Sequence, residues 1–231
     1  MKRLIVIAMI VLLSSSVVLA QNFCQGDFNY NGSVASEDVT KFLNHFGRNP
    51  FNNPCPSDGP SPVPETGQST SYAAGDDGDL EKGVTWPNPR FTDNVDGTIT
   101  DNLTGLIWLK DADCFGQITW YEALSYSNGL GNGQCGLTDS SSTGDWRLPN
   151  LLELESLRDM EYYDPPISNA VGTGKWTDGD PFTNLQSSYY WSSTSHVSSS
   201  AHAFFVVMRY GTVLYGSKDD WWYVWPVRGG H

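Results

Sequence analysis

Apolar residues are spaced for short strands and two short helices from about residue 91 to the end of the chain, and one stretch before that region almost lacks them. Residues 91–100 alternate around Asp96-Gly97, which predicts a hairpin closed by an Asp-Gly turn. Leu106-Ile107-Trp108-Leu109 reads as a further strand. Thr119 and Glu122 have capping-box spacing, which opens a helix at Trp120 that Asn128-Gly129 stops near Ser127. Asn150 and Glu153 repeat the device. Behind them Leu151, Leu154 and Leu157 fall on one face, with Glu153, Glu155 and Arg158 toward water, predicting a helix to about Met160. Strand-like pieces recur at 189–192, 203–208, 212–215 and 223–227, with Tyr210-Gly211 as a turn between two of them. The whole predicts an α+β domain.

The beginning of the chain follows other rules. Lys2 and Arg3 precede an apolar run and Val18-Leu19-Ala20 supplies small residues for cleavage, so residues 1–20 read as a signal peptide. That run is too short for a comfortable membrane span, and no later stretch inserts in a membrane. The expected location is secreted or at the cell surface. The formal charge is −13, and −15 once the signal leaves with Lys2, Arg3 and no acid. Such a field repels nucleic acid and anionic membranes. Three units follow: 21–55, a compact piece; 56–83, a Pro/Ser/Gly-rich stretch with Asp76-Asp77-Gly78-Asp79 that reads as a flexible linker; and 84–231, the domain with its own core. Asp93, Asp96 and Asp101 surround a tight turn, where such residues bond local backbone.

Four cysteines in an exported chain predict two disulfides. Four allow three pairings. Cys24–Cys55 with Cys114–Cys135 is the favoured one, because each pair brackets one unit. No Cys-x-x-Cys occurs and the four histidines are scattered, which argues against zinc.

Residues 27–38 fit a calcium loop, with Asp27, Asn29, Asn31 and Asp38 at positions 1, 3, 5 and 12. Gly32 makes the sharp turn and the Ser33 carbonyl supplies position 7. With only two full charges, a calcium affinity of about 10⁻⁴–10⁻³ M is expected. The segment resembles a single dockerin repeat, followed by a helix at 39–46; dockerins use two such repeats, and one is found here.

Gly144-Asp145-Trp146-Arg147-Leu148-Pro149-Asn150, Tyr189-Tyr190-Trp191-Ser192-Ser193-Thr194 and Val227-Arg228-Gly229-Gly230 together carry a further resemblance, over about residues 91–231. They resemble the Lcl C-terminal domain family. That resemblance implies a C-type-lectin-like fold of short strands and two helices, and a role in adhesion that includes binding sulfated glycans. The same Trp-Arg-Leu-Pro also resembles the formylglycine-generating enzyme superfamily, which depends on late reactive cysteines; here no cysteine follows Cys135.

Chemistry for catalysis is hard to find. Ser193 near His196 and Ser200 near His202 lie in serine-rich sequence without a nucleophile elbow. Glu153 is assigned to a cap and leaves no carboxylate pair. A non-enzymatic binder is the expectation, with an extracellular glycan or surface protein as partner. Trp221, Trp222 and Tyr223 follow Asp219-Asp220 in what reads as an exposed loop, and they are the expected ligand-binding residues. The acidity favours a neutral polysaccharide over a polyanion, unless Arg209, Lys218 and Arg228 cluster. The alternative is a structural role, with the calcium unit docking to a protein.

Overall fold

The computed structural model describes residues 63–229. The signal segment, the calcium loop and Cys24–Cys55 lie outside them.

Helix α1 (Asp77–Leu80) is a single turn, capped by Asp76, whose carboxylate accepts from the Asp79 amide. Helix α2 (Trp120–Gly129) and helix α3 (Leu151–Glu155) each start from a complete capping box, Thr119 with Glu122 and Asn150 with Glu153. The reciprocal bonds satisfy amides that a helix start otherwise leaves open. Helix α3 ends five residues short of the expected Met160. Ser156 caps it, and the Asp159 amide donates to Pro166 instead of continuing the helical ladder.

Strands β1 (Phe91–Asp93), β2 (Thr98–Asp101), β3 (Ile107–Leu109) and β7 (Val227–Arg228) form one antiparallel sheet in that order. Strands β4 (Tyr189–Ser195), β5 (His202–Val207) and β6 (Thr212–Ser217) form a second, a three-stranded meander. Residues 222–227 tie the two together. Trp222 bridges Ile118, Tyr223 bridges Tyr190, and Val227 pairs with both Trp108 and Arg147. The segment 223–227 is thus a crossing between sheets, where a continuous strand was expected. Pro226 lacks an amide for a ladder.

Alternation along the second sheet divides the core. Tyr190, Val206 and Met208 enter a large cluster with Phe91, Ile99, Trp108, Trp146, Phe182 and Trp225. Trp191, Ala203, Phe205 and Val207 face the opposite way, into a smaller cluster with Trp120 and Val224. Indole N–H groups in this interior find oxygen partners, as burial requires. Trp191 donates to the Ile118 carbonyl at 3.1 Å, Trp120 to Ser192 at 2.8 Å and Trp225 to Leu109 at 2.8 Å. Trp108 has no such partner. Cys114 and Cys135 form a disulfide with a Cα separation of 5.7 Å, flanking the large cluster. Closing 21 residues contributes about 3 kcal/mol on a chain-entropy argument.

Residues 63–83 are not the extended linker their composition predicts. Polar ties to distant residues hold them. Glu161 accepts from the amides of Ser69 and Thr70 at 2.9 Å each, and from the Thr70 hydroxyl. The Met160 amide donates to Thr66, and Pro64 bridges Val84. Gly78 is buried against the Thr70 carbonyl, where a β-carbon would come within 2.2 Å. Asp76 and its neighbours therefore build local structure. The Asp76 carboxyl is held below its ordinary range, chiefly by the Tyr72 amide.

Arg90 and Asp101 form a fully buried ion pair, at 2.8 and 3.0 Å through two guanidinium nitrogens. Arg90 also donates to the Ser156 carbonyl at 2.8 Å, while Asp101 accepts from the Leu103 amide and the Thr104 hydroxyl. Asp93 and Asp96 do bond local backbone, at Val95 and Thr98. Asp101 does so too, at the Leu103 amide, and is in addition buried against Arg90.

Candidate functional site

The sequence phrases that carry the family resemblance meet in space, and they meet as scaffold. Arg147 exchanges both backbone bonds with Val227, at 3.0 and 2.9 Å. Its guanidinium grips Glu153 at 2.6 Å through two nitrogens and reaches the Gly229 carbonyl at 2.8 Å. The Ser193 amide donates to Pro149, and the Thr194 hydroxyl accepts from the Leu151 amide at 3.0 Å. One hub thus fixes the start of α3, the middle of β4 and the end of the chain.

The aromatic C-terminal stretch divides sharply by exposure. Trp221 is 62% exposed. Trp222 is half-buried, with its ring 4.0 Å from Phe205 and 4.1 Å from Trp191, centroid to centroid. Tyr223 is also half-buried, 5.5 Å from Tyr190. Of the three ring residues expected to contact ligand, Trp221 alone presents most of its surface to solvent. Trp222 and Tyr223 instead pack against interior rings.

A second exposed ring belongs to the same corner. Residues 118–120 run against 218–222: Ile118 and Trp222 exchange backbone bonds at 3.0 and 3.1 Å, and the Trp120 amide donates to Lys218 at 3.0 Å. Tyr121, next along α2, is 57% exposed. In the sequence its only mark is its place in the first turn of a capped helix. Between these segments Lys218 is buried. Its ammonium sits 3.9 Å above the Trp120 ring and donates to the Ser195 hydroxyl at 2.7 Å. Exposed Asp219 and Asp220 complete the corner.

The three cations that could have formed an anion site are engaged separately. Lys218 is held as described, Arg228 pairs with Asp139 at 2.9 Å above Trp146, and Arg209 lies over Tyr210. The histidines near serines bond neither Ser193 nor Ser200. His196 Nδ1 meets Ser198 at 3.0 Å and His202 Nδ1 meets Ser199 at 2.7 Å, and neither imidazole bonds a carboxylate among the described residues. No cluster of three or more His, Cys, Asp or Glu side chains suited to a metal occurs among the described residues. No helix among them is long and apolar enough to cross a membrane.

Burial shifts two groups near the interior. The Asp159 carboxyl is pushed up to about 6 by burial, against the pull of the Glu161 amide and the Arg90 charge. The Tyr190 phenol is pushed far up by burial, and its oxygen accepts from the Gln186 amide at 2.9 Å.

These features define a small disulfide-linked α+β domain, with two antiparallel sheets and an aromatic corner. Residues 97–228 match the family model of the Lcl C-terminal domain, and the chain belongs to that family. No curated protein matches it.

Proposed function

We propose that this protein is a non-catalytic recognition protein, secreted or displayed at the cell surface, with a C-type-lectin-like domain that binds a neutral glycan. The observation that carries this reading is the accessible Trp221 ring, next in sequence to exposed Asp219 and Asp220, with exposed Tyr121 following the segment that pairs with 218–222. A flat indole offers the apolar face that a sugar ring stacks on, and Asp219 and Asp220 accept hydroxyl hydrogens. Their charge, in a chain of net −13, disfavours sulfated chains. The segment at 27–38 is the proposed calcium site, through Asp27, Asn29, Asn31, Ser33 and Asp38.

A glycan screen of the mature protein, with calcium and with chelator, tests the reading. Neutral polysaccharides are expected to bind, and Trp221→Ala to abolish binding while the unfolding temperature stays unchanged. Binding confined to sulfated glycans, or retained in full by Trp221→Ala, overturns it. Loss on deleting residues 21–55 would favour docking through that unit instead.

A further inference from the structure

We propose that a cleft between the 65–88 arm and the 171–173 loop is a second binding site, which takes an amine-bearing sugar ring such as a hexosamine unit. The cleft encloses about 220 Å³. That is below the roughly 300–1,000 Å³ typical of sites for drug-sized ligands, and it suits a single sugar ring. Most of its wall precedes residue 97, where the family match begins, so it belongs to what this chain adds to the domain.

Its floor is prepared for a ring. Trp86 lines the cleft and is fixed before any ligand arrives. Its indole N–H donates to the Glu65 carbonyl at 2.8 Å, and the Arg90 guanidinium stacks 4.2 Å from its centroid. Arg90 is itself locked by Asp101. Gly67, at φ +86°, lets the backbone close over this assembly: a β-carbon there would lie 2.8 Å from the Trp86 ring and 2.5 Å from Asp159 Oδ1. A ring held in this way loses little freedom on binding.

The rim supplies hydrogen-bonding groups in several directions. Thr66, Gln68, Ser69, Asn88 and Thr173 bring hydroxyls and amides. The charge is one-sided: Glu65, Asp77 and Glu81 line the cleft, and no Lys or Arg does. Glu65 accepts from the Thr85 hydroxyl at 3.0 Å and Asp77 from Thr66, whereas Glu81 makes no side-chain hydrogen bond among the described residues. Three carboxylates around an aromatic floor repel uronic and sulfated sugars. They favour an ammonium, which gains from both the charges and the indole face.

The test is calorimetric titration of the full mature chain with a β-1,4-linked glucosamine tetramer, and with the same tetramer fully N-acetylated. The free-amine form is expected to bind at least tenfold more tightly, and more weakly as salt rises. Glu81→Gln, at an exposed position, should weaken it several-fold without moving the unfolding temperature, whereas Trp221→Ala should leave it unchanged. Equal affinity for the acetylated tetramer in the Trp221→Ala background overturns the amine assignment, and absence of binding overturns the site. Binding lost in Trp221→Ala but kept in Glu81→Gln places the sugar at the other corner. A lysine-rich peptide that competes as well as the sugar overturns the saccharide assignment in favour of a protein amine. Because the Trp221 reading is scored with neutral glycans, either proposal can fail alone.

Discussion

Trp222 stands where a side chain at position 216 would be. A β-carbon added to Gly216 would lie 2.3 Å from Trp222 Cη2, with the Asp220 carboxylate at 3.2 Å. The edge of the indole thereby fits over Gly216 in β6, its ring tilted against Phe205 and Trp191, and Trp221 beside it is exposed. Gly216→Ala is expected to destabilise the domain by about 1–3 kcal/mol through overpacking, measured by urea unfolding. No loss would mean that the ring can move aside freely.

Adjacent tryptophans should separate cleanly under mutation. Trp222→Ala removes a ring that fills the smaller core cluster and should cost about 2–4 kcal/mol. Trp221→Ala should stay within about 0.5 kcal/mol, as exposed substitutions do. Thermal unfolding of both variants checks this, and equal losses would show that Trp221 also serves packing.

What sequence could show here follows range of interaction. Both capping boxes were legible because Thr119 with Glu122, and Asn150 with Glu153, obey a rule that spans three residues. Strand positions followed from alternation, and bracketing identified Cys114 with Cys135. Composition misread 63–83, because that stretch is held by polar bonds to Glu161, about ninety residues away, and not by apolar burial. Alternation could not grade Trp221 against Trp222 either. Which ring is covered depends on a glycine in β6 and on Trp191 in β4. Nothing local marked Asp101 as buried, since its partner Arg90 is presented from before β1.

That ion pair should be sensitive to loss of one partner. Asp101→Asn leaves a fully buried guanidinium without its countercharge, and a cost of about 3–5 kcal/mol is expected. Denaturant unfolding checks it, and a loss under 1 kcal/mol would show that water reaches Arg90.

Asp159 gives a pH signature with an unusual sign. Its carboxyl titrates near 6 in the folded protein against an ordinary 3.8, so the folded state holds its proton more tightly. The stability from this group is full below about pH 4 and is lost as pH rises through 6, on the order of 2–3 kcal/mol in all. Asp159→Asn should therefore gain stability relative to the parent between pH 4 and 7. A difference that stays constant over that window would show an ordinary carboxyl.

Glu161 should act in the other direction. The Thr70 hydroxyl and the Ser69 and Thr70 amides hold its carboxyl below the usual range. Glu161→Ala is expected to free the arm, seen as faster limited proteolysis between residues 66 and 75 while the sheets stay protected. An unchanged cleavage rate would assign the arm's order to other contacts.

The crossing at residues 222–227 also fixes when the domain can form. Val227 pairs with Trp108, and Trp222 and Tyr223 pair with Ile118 and Tyr190, so the join between the sheets uses partners up to more than a hundred residues apart. A chain emerging from its amino end can make the hairpin and the meander early, but it cannot unite them until those last residues are free. Closure of such distant contacts is slow. Assembly of this domain is therefore a late event, and a product stopped short of residue 222 would expose the rings of both core clusters to whatever surrounds it.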